Sequence, residues 1–122
     1  MATAEEISES YSDWRIRCNA NPRLAKMLRG WNRTVHLMTT DDTAGAGHFT
    51  ITVADSVLSV LGAGLIGQPD LVVSASSEDF ADLFWGDLNP SEKYVSGDIV
   101  LAGSSEDVMR LDAMSMVAFL DQ

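Results

Sequence analysis

Few side chains of this 122-residue chain could carry out covalent or acid–base chemistry, and their spacing does not bring them together. Cys18 is the one cysteine and falls in a predicted amphipathic helix, with no base paired to it by spacing. His36 and His48 fall on different predicted strands, and spacing marks no third group to orient either ring. The sequence therefore predicts a protein that is not an enzyme.

The paired carboxylates have ordinary structural explanations. Asp41-Asp42 lies in a predicted turn, and Glu78-Asp79 lies in the first turn of a predicted helix, where negative charge is favourable. His48 near Asp41 and Asp42 could hold a metal, but the segment lacks both the oxygen-ligand pattern of a calcium loop and the spacing of a zinc site. No glycine cluster precedes Lys-Ser or Lys-Thr, as a phosphate loop requires. We expect no metal and no cofactor.

The charge of the chain excludes some partners. A formal net charge of -10 argues against nucleic acid and against a broadly anionic membrane surface. The charge is also uneven, because six of the eight basic residues lie between positions 15 and 33. This basic segment either docks on the acidic body or faces solvent, or it binds an anionic head group or partner. Its members are Arg15, Arg17, Arg23, Lys26, Arg29 and Arg33.

Targeting signals and membrane spans are not visible in the sequence. The start, MATAEEISESYSDW, is acidic where a secretory signal is basic and then apolar. No apolar run approaches the ~20 residues that span a bilayer, and the last three residues are not a peroxisomal signal. With a lone cysteine, the chain is expected to be cytoplasmic, without stable membrane insertion.

The order of predicted elements indicates one domain over residues 1–122. The N-terminal part, about residues 4–31, is predicted to be helical, and Asn21-Pro22 supplies the cap and first residue of its second helix. Alternation of apolar and polar residues then predicts strands. They are Arg33–Thr39, His48–Val53, Ser56–Leu61 and Leu71–Ala75.

The segment from Leu71 to Gly103 is the most informative part of the chain. After the strand, Ser76 can cap a helix that ends at Gly86 and carries one apolar face. A second helical turn and a last short strand follow. In chain order the features are the face of Phe80, Leu83 and Phe84, the step Asn89-Pro90, the aromatic Tyr94, the turn Ser96-Gly97-Asp98 and the strand Ile99–Leu101.

This order of features resembles the sterol carrier protein-2 family of lipid-binding domains. Its members carry a strand, a helix ending near Gly, an Asn-Pro step, an aromatic residue and a Gly-led strand. The matching pieces are Ser77–Gly86, Leu88-Asn89-Pro90, Tyr94 and Gly97–Gly103. The resemblance implies an α+β fold with a mainly antiparallel sheet of about five strands, covered on one face by helices. It also implies an apolar tunnel between the helices and the sheet.

The implied function is non-covalent binding and transfer or presentation of a small apolar ligand. Fatty acids, fatty acyl thioesters, phospholipids and sterols all fit the family's behaviour. Tyr94 is expected to place its hydroxyl near the ligand's polar end or to hydrogen-bond nearby backbone. The residues expected to contact the ligand are Phe80, Leu83, Phe84, Tyr94, Ile99, Leu101, Met109, Met114 and Phe119.

The last predicted helix, which begins at Ser104, leaves alternatives open. From Ala113 to Leu120 only Ser115 is polar, so the core, a ligand or another chain must cover this stretch. It either seals the core or forms a methionine-rich lid over a lipid cavity. The leading alternative function is an interaction module with a filled tunnel, in which this helix forms a homodimer or contacts a protein partner. A weaker one is an auxiliary enzyme with His36 facing the tunnel.

Overall fold

The computed structural model describes residues 2–41 and 47–122. Its helices and strands alternate in blocks, as in an α+β protein. The helices are α1 (Ala4–Asn19), α2 (Pro22–Met27), α3 (Ser77–Trp85), α4 (Pro90–Ser96) and α5 (Ser105–Leu120). The strands are β1 (Arg33–Thr39), β2 (Phe49–Ala54), β3 (Val57–Ala63), β4 (Leu71–Ala75) and β5 (Val100–Gly103).

The five strands form one sheet in the order β3-β2-β1-β4-β5. Three neighbouring pairs are antiparallel, and the central pair of β1 and β4 is parallel. The predicted fold class, an α+β protein with a mainly antiparallel five-stranded sheet, is confirmed. The parallel pair arises because residues 40–70 contain the β2–β3 hairpin and then return the chain to the start of β1, where Val35 faces Leu71.

Local capping chemistry sets the helix boundaries. The Ser76 hydroxyl accepts from the Asp79 amide, which confirms Ser76 as the predicted cap, and the Ser104 hydroxyl accepts from the Asp107 amide at the start of α5. Gly86 ends α3 with a φ of 87°, a left-handed conformation that suits a residue without a side chain. Each of these capping residues contacts backbone only a few residues away in its own helix, which is why the sequence alone could identify it.

Three predicted strands have boundaries that are wrong by one or two residues. β2 begins at Phe49 rather than His48. β3 begins after Ser56, whose φ of 65° belongs to the tight turn, and it continues to Ala63 because a bulge opposite Thr50 lets the pairing resume. β5 begins after Ile99, because the Ile99 amide donates to the Lys93 carbonyl at the end of α4 instead of to β4.

Alternate residues of the central strands face the helices and form the core. On β1 these are Val35 and Leu37, and on β4 they are Leu71, Val73 and Ala75. Aromatic rings from α1 and α3 pack against them. The ring centroids of Tyr11, Trp14 and Phe80 lie 5.2, 5.2 and 6.0 Å from that of Phe84.

One buried carboxylate fixes the start of α5 to the start of the sheet. Asp107 accepts the Trp31 indole N–H at 2.8 Å and the Arg33 Nε–H at 3.0 Å from each carboxylate oxygen. The Arg33 guanidinium lowers the pKa of Asp107 and thereby keeps the carboxylate charged. Since Asp107 follows Arg33 by 74 residues, this contact ties distant parts of the chain together.

Candidate apolar ligand site

A small apolar cavity lies between the sheet and the helices. Its volume is about 30 Å³, which is room for only about one or two water molecules. An acyl chain needs far more space, so the interior is nearly filled in this conformation. Residues from eight elements line this interior cavity, and they are Trp14, Val35, Leu37, Ile51, Val73, Phe80, Leu83, Phe84, Tyr94, Leu101, Leu111 and Ser115.

Two hydroxyl groups are the polar feature of this lining. The Tyr94 hydroxyl donates to Ser115 Oγ at 2.9 Å, and Ser115 Oγ donates to the Asp112 carbonyl oxygen at 2.8 Å. Tyr94 therefore bonds a side chain rather than the nearby backbone that the sequence suggested. Burial raises the pKa of Tyr94 to about 12, so the phenol stays neutral at physiological pH. The lining includes no formally charged side chain.

A second space lies on the other side of Tyr94 and Leu101. This α4–α5 groove has a volume of about 350 Å³ and opens at the surface. Tyr94 and Leu101 line both it and the interior cavity, so these two side chains form the wall between them. Its full lining is Tyr94, Gly97, Ile99, Val100, Leu101, Val108 and Asp112.

The predicted ligand-contacting residues do not all lie together. Ile99 lines the α4–α5 groove instead of the interior cavity, and Met114 is fully buried without lining either space. Phe119 is half-buried and also lies outside both linings, whereas Met109 is 70% exposed on the outer side of α5. Those that meet at the interior cavity are Phe80, Leu83, Phe84, Tyr94 and Leu101.

Several lining residues were missed because they come from α1 and from the strands. Trp14 belongs to a buried stripe of α1 with Ile7, Tyr11 and Cys18, a spacing of four, three and four residues that was visible in the sequence. Val35 and Leu37 alternate in β1, but alternation alone does not say which face is inward. Ser115 gave no signal, since its role depends on the position of Tyr94.

The reactive side chains lie elsewhere. His36 is on the face of β1 opposite Val35 and Leu37, and its Nε2 lies 3.0 Å from the Ile66 carbonyl oxygen. It does not line the interior cavity, so the interpretation of His36 as a group facing the tunnel is wrong. Burial raises the pKa of the Cys18 thiol to about 12, which keeps the sulfur protonated and unreactive.

Neither a cluster of metal ligands nor a membrane-spanning helix occurs in the part of the chain that the structure describes. Among residues 2–41 and 47–122, no three His, Cys, Asp or Glu side chains come together as metal ligands. The predicted metal alternative involved Asp42, which lies outside the described residues. No helix in the described part of the chain has the length and apolar character to cross a bilayer.

The comparison with known families decides the classification. The family model described as the SCP-2 sterol transfer family matches residues 16–115. The chain belongs to this family. The sequence-based resemblance to sterol carrier protein-2 is therefore confirmed, and it extends well before the Leu71–Gly103 segment that first indicated it.

Solved structures of SCP-2 proteins have the same fold. A crystal structure of sterol carrier protein 2 is 14% identical, with a TM-score of 0.64 over 91% of this chain and 94% of that one. The solution structure of palmitated SCP2L2 from Aedes aegypti is 18% identical, with a TM-score of 0.64 over 93% of this chain and 95% of that one. At these identities the likeness establishes the fold alone.

The fold also occurs inside a much larger protein. A double mutant of the sec-alkyl sulfatase PisA1 is 14% identical and has a TM-score of 0.57 over 74% of this chain, which spans only 14% of that protein. No curated protein matches the chain.

Proposed function

We propose that this SCP-2 family protein binds one apolar ligand non-covalently in its interior cavity and carries or presents it. The observation that carries the proposal is that Tyr94 and Leu101 line both that cavity and the α4–α5 groove and so form the wall between them. When the two side chains move apart, the spaces join into one passage from the surface to the core. The small volume of the interior cavity then describes a ligand-free, closed state.

The ligand's inner part is uncharged. A carboxylate or phosphate inside a lining without formally charged groups would lose its hydration without a compensating partner. An acyl chain or ring system therefore enters first, while a charged head group stays in the open α4–α5 groove. Both hydroxyl protons of the Tyr94–Ser115 pair are already donated, so the pair offers acceptor oxygens, which suit a ligand hydroxyl.

Affinity comes mainly from removing methylenes from water. Each buried CH₂ contributes about 0.8 kcal/mol, which is about fourfold in Kd. Displacing the wall and ordering the chain oppose this gain, so short chains bind weakly. Chain length is then the main determinant of selectivity until the passage is full.

Native mass spectrometry with saturated fatty acids of increasing length tests this proposal. We expect one ligand per protein and a Kd that falls about fourfold per added methylene before it levels off. Leu101→Trp fills the passage and abolishes binding, and Val57→Trp is the matched control because Val57 is 48% exposed on β3 and lines neither space. Equal binding by both variants would place the ligand elsewhere.

The nearly filled interior favours a second candidate, an interaction module that keeps the fold without a ligand. With a cavity of about 30 Å³, the core needs no lipid to be packed. This candidate predicts no uptake of any fatty acid and a complex with another protein or a second copy. The same titration separates the two candidates, because only the carrier binds fatty acids with a dependence on chain length.

A further inference from the structure

A third space, the α2–α5 groove, lies outside the proposed ligand site. It is open, has a volume of about 430 Å³, and shares no residue with the interior cavity or the α4–α5 groove. Its apolar floor comes from two methionines and an alanine, and flexible methionines adapt to different partner surfaces. The lining is Lys26, Met27, Glu106, Met109, Arg110 and Ala113.

The apolar floor is accessible in the folded protein. Met109 is 70% exposed, although it lies five residues before Met114, which is fully buried on the inner side of the same helix. Ala113, one turn after Met109, is exposed as well. The outer face of α5 thus offers apolar contacts that the core of this chain does not use.

The two cations beside this floor lack carboxylate partners. Within residues 2–41 and 47–122, neither Lys26 nor Arg110 takes part in an ion pair, and Glu106 is the one acidic side chain in the groove lining. Of the six other basic residues, Arg17, Arg23, Arg33 and Lys93 are paired, whereas Arg15 and Arg29 form no ion pair within the described residues. Positive charge is therefore left over at this groove in a chain whose net charge is -10.

Arg110 is held in place before any partner arrives. Its Nη1 donates to the Met27 carbonyl oxygen at 2.6 Å, and its guanidinium carbon lies 5.8 Å from the centroid of the Trp31 ring. Arg33 lies near the same ring, at 5.5 Å, and is bonded to Asp107. A guanidinium fixed in this way loses little conformational entropy when it binds an anion.

We propose that the α2–α5 groove binds an acidic amphipathic helix of a partner protein. The groove runs between α2 and α5, and the partner helix would lie along it. Apolar side chains of that helix would contact Met27 and Met109, and its Asp or Glu residues would lie beside Lys26 and Arg110. Charge complementarity selects this partner over a basic one. A membrane fits less well, because the net charge of -10 on the whole chain repels the extended surface of an anionic bilayer.

A pair of synthetic peptides tests the proposal. Both are helical 16-residue peptides with the same Leu/Met face, flanked in one by Glu and in the other by Lys, and fluorescence anisotropy measures their binding to the full chain. We expect saturable binding of the Glu peptide, at least about tenfold tighter than that of the Lys peptide and weakened by salt.

Three variants assign the binding to the groove. Met109→Asp weakens binding of the Glu peptide by about tenfold or more. Val95→Asp, at a position 89% exposed on α4, leaves that binding unchanged. Lys26→Glu shifts preference toward the Lys peptide. Because Met109, Val95 and Lys26 are all exposed, all three variants should keep the wild-type unfolding transition.

Other outcomes overturn the proposal. These are equal binding of the two peptides, no binding, or equal loss in the Met109 and Val95 variants. Binding to vesicles containing phosphatidylglycerol that depends on Met109, without binding of the Glu peptide, makes the groove a membrane site. A dimer in sedimentation that Met109→Asp dissociates makes it a contact between two copies.

Discussion

The interior cavity and the α2–α5 groove are opposite kinds of space in one small protein. The first is small and apolar and has about 30 Å³ of room, while the second is open, has about 430 Å³ and carries two cations that form no ion pair among the described residues. In the carrier proposal, binding in the interior requires the protein to open and gains affinity from apolar burial. In the partner proposal, binding in the groove requires no opening and depends on charge. Ligand and partner can therefore be recognised by different physical effects on separate surfaces.

The largest expected effect is a loss of stability when packing in the interior is removed. Phe84→Ala removes a ring that packs on Tyr11, Trp14 and Phe80, and we expect a loss of about 3–5 kcal/mol in the free energy of unfolding. Urea unfolding measures it. The neighbouring Trp85 is 39% exposed, so Trp85→Ala should lower stability much less. Similar losses in both variants would mean that the interior is not a tightly packed core.

The next effect concerns the carboxylate that joins α5 to the sheet. Asp107→Asn weakens the contacts with Trp31 and Arg33 and should cost about 1–3 kcal/mol. Asp121→Asn is the control, because Asp121 pairs with the well-exposed Arg23, and such pairs contribute about 0–1 kcal/mol. Urea unfolding of both variants at neutral pH measures the difference.

The same carboxylate makes stability depend on pH. Since the folded pKa of Asp107 is lowered, the stabilisation is present above the pKa of an unfolded Asp, about 3.9. It is lost as the pH falls through the lower pKa of the folded protein. The difference in unfolding free energy between wild type and Asp107→Asn should therefore shrink below about pH 4. A difference that stays constant down to the lowest pH would contradict the charged pair.

A smaller effect sharpens the claim that Tyr94 is part of a movable wall. Removing its hydroxyl bond by Tyr94→Phe or Ser115→Ala should lower the free energy of opening by about 1 kcal/mol. Association of a fluorescent fatty acid should then be about fivefold faster in stopped flow. Ser96→Ala, at an exposed site on α4, is the control. Unchanged rates in both test variants would mean that the ligand enters elsewhere.

The smallest effect concerns the chemical reactivity of the buried Cys18 thiol. Cys18 is 4% exposed with a pKa raised to about 12 by burial, so iodoacetamide should leave it unmodified in the native protein at neutral pH. Mass spectrometry should detect alkylation once urea unfolds the chain. Rapid alkylation without urea would show that α1 opens readily.

Features set by near neighbours were predictable from the sequence, and those set by distant ones were not. Ser76 and Gly86 mark the ends of α3 through contacts within the helix, and both were identified. The bond between Tyr94 and Ser115 depends on how α4 meets α5, and that between Arg33 and Asp107 on how α5 meets the sheet. Local sequence patterns do not reveal such contacts between side chains that are far apart along the chain.

The methionines of α5 show the same limit most clearly. The helix is apolar on several sides, so the sequence placed Met109 and Met114 together as candidate ligand contacts. Packing separates them, with Met114 in the core and Met109 on the surface beside Lys26. Their separation creates the contrast between interior cavity and groove, and it follows from the docking of α5 rather than from composition.

Methyl NMR during a palmitate titration tests the central claim most directly, because it observes both spaces at once. The carrier account predicts that methyl signals of Leu83, Leu101 and Val73 shift and show NOEs to the acyl chain, while the Met109 methyl stays unchanged. Shifts confined to Met109 and Ala113, with an undisturbed interior, would contradict it and place the lipid in the α2–α5 groove.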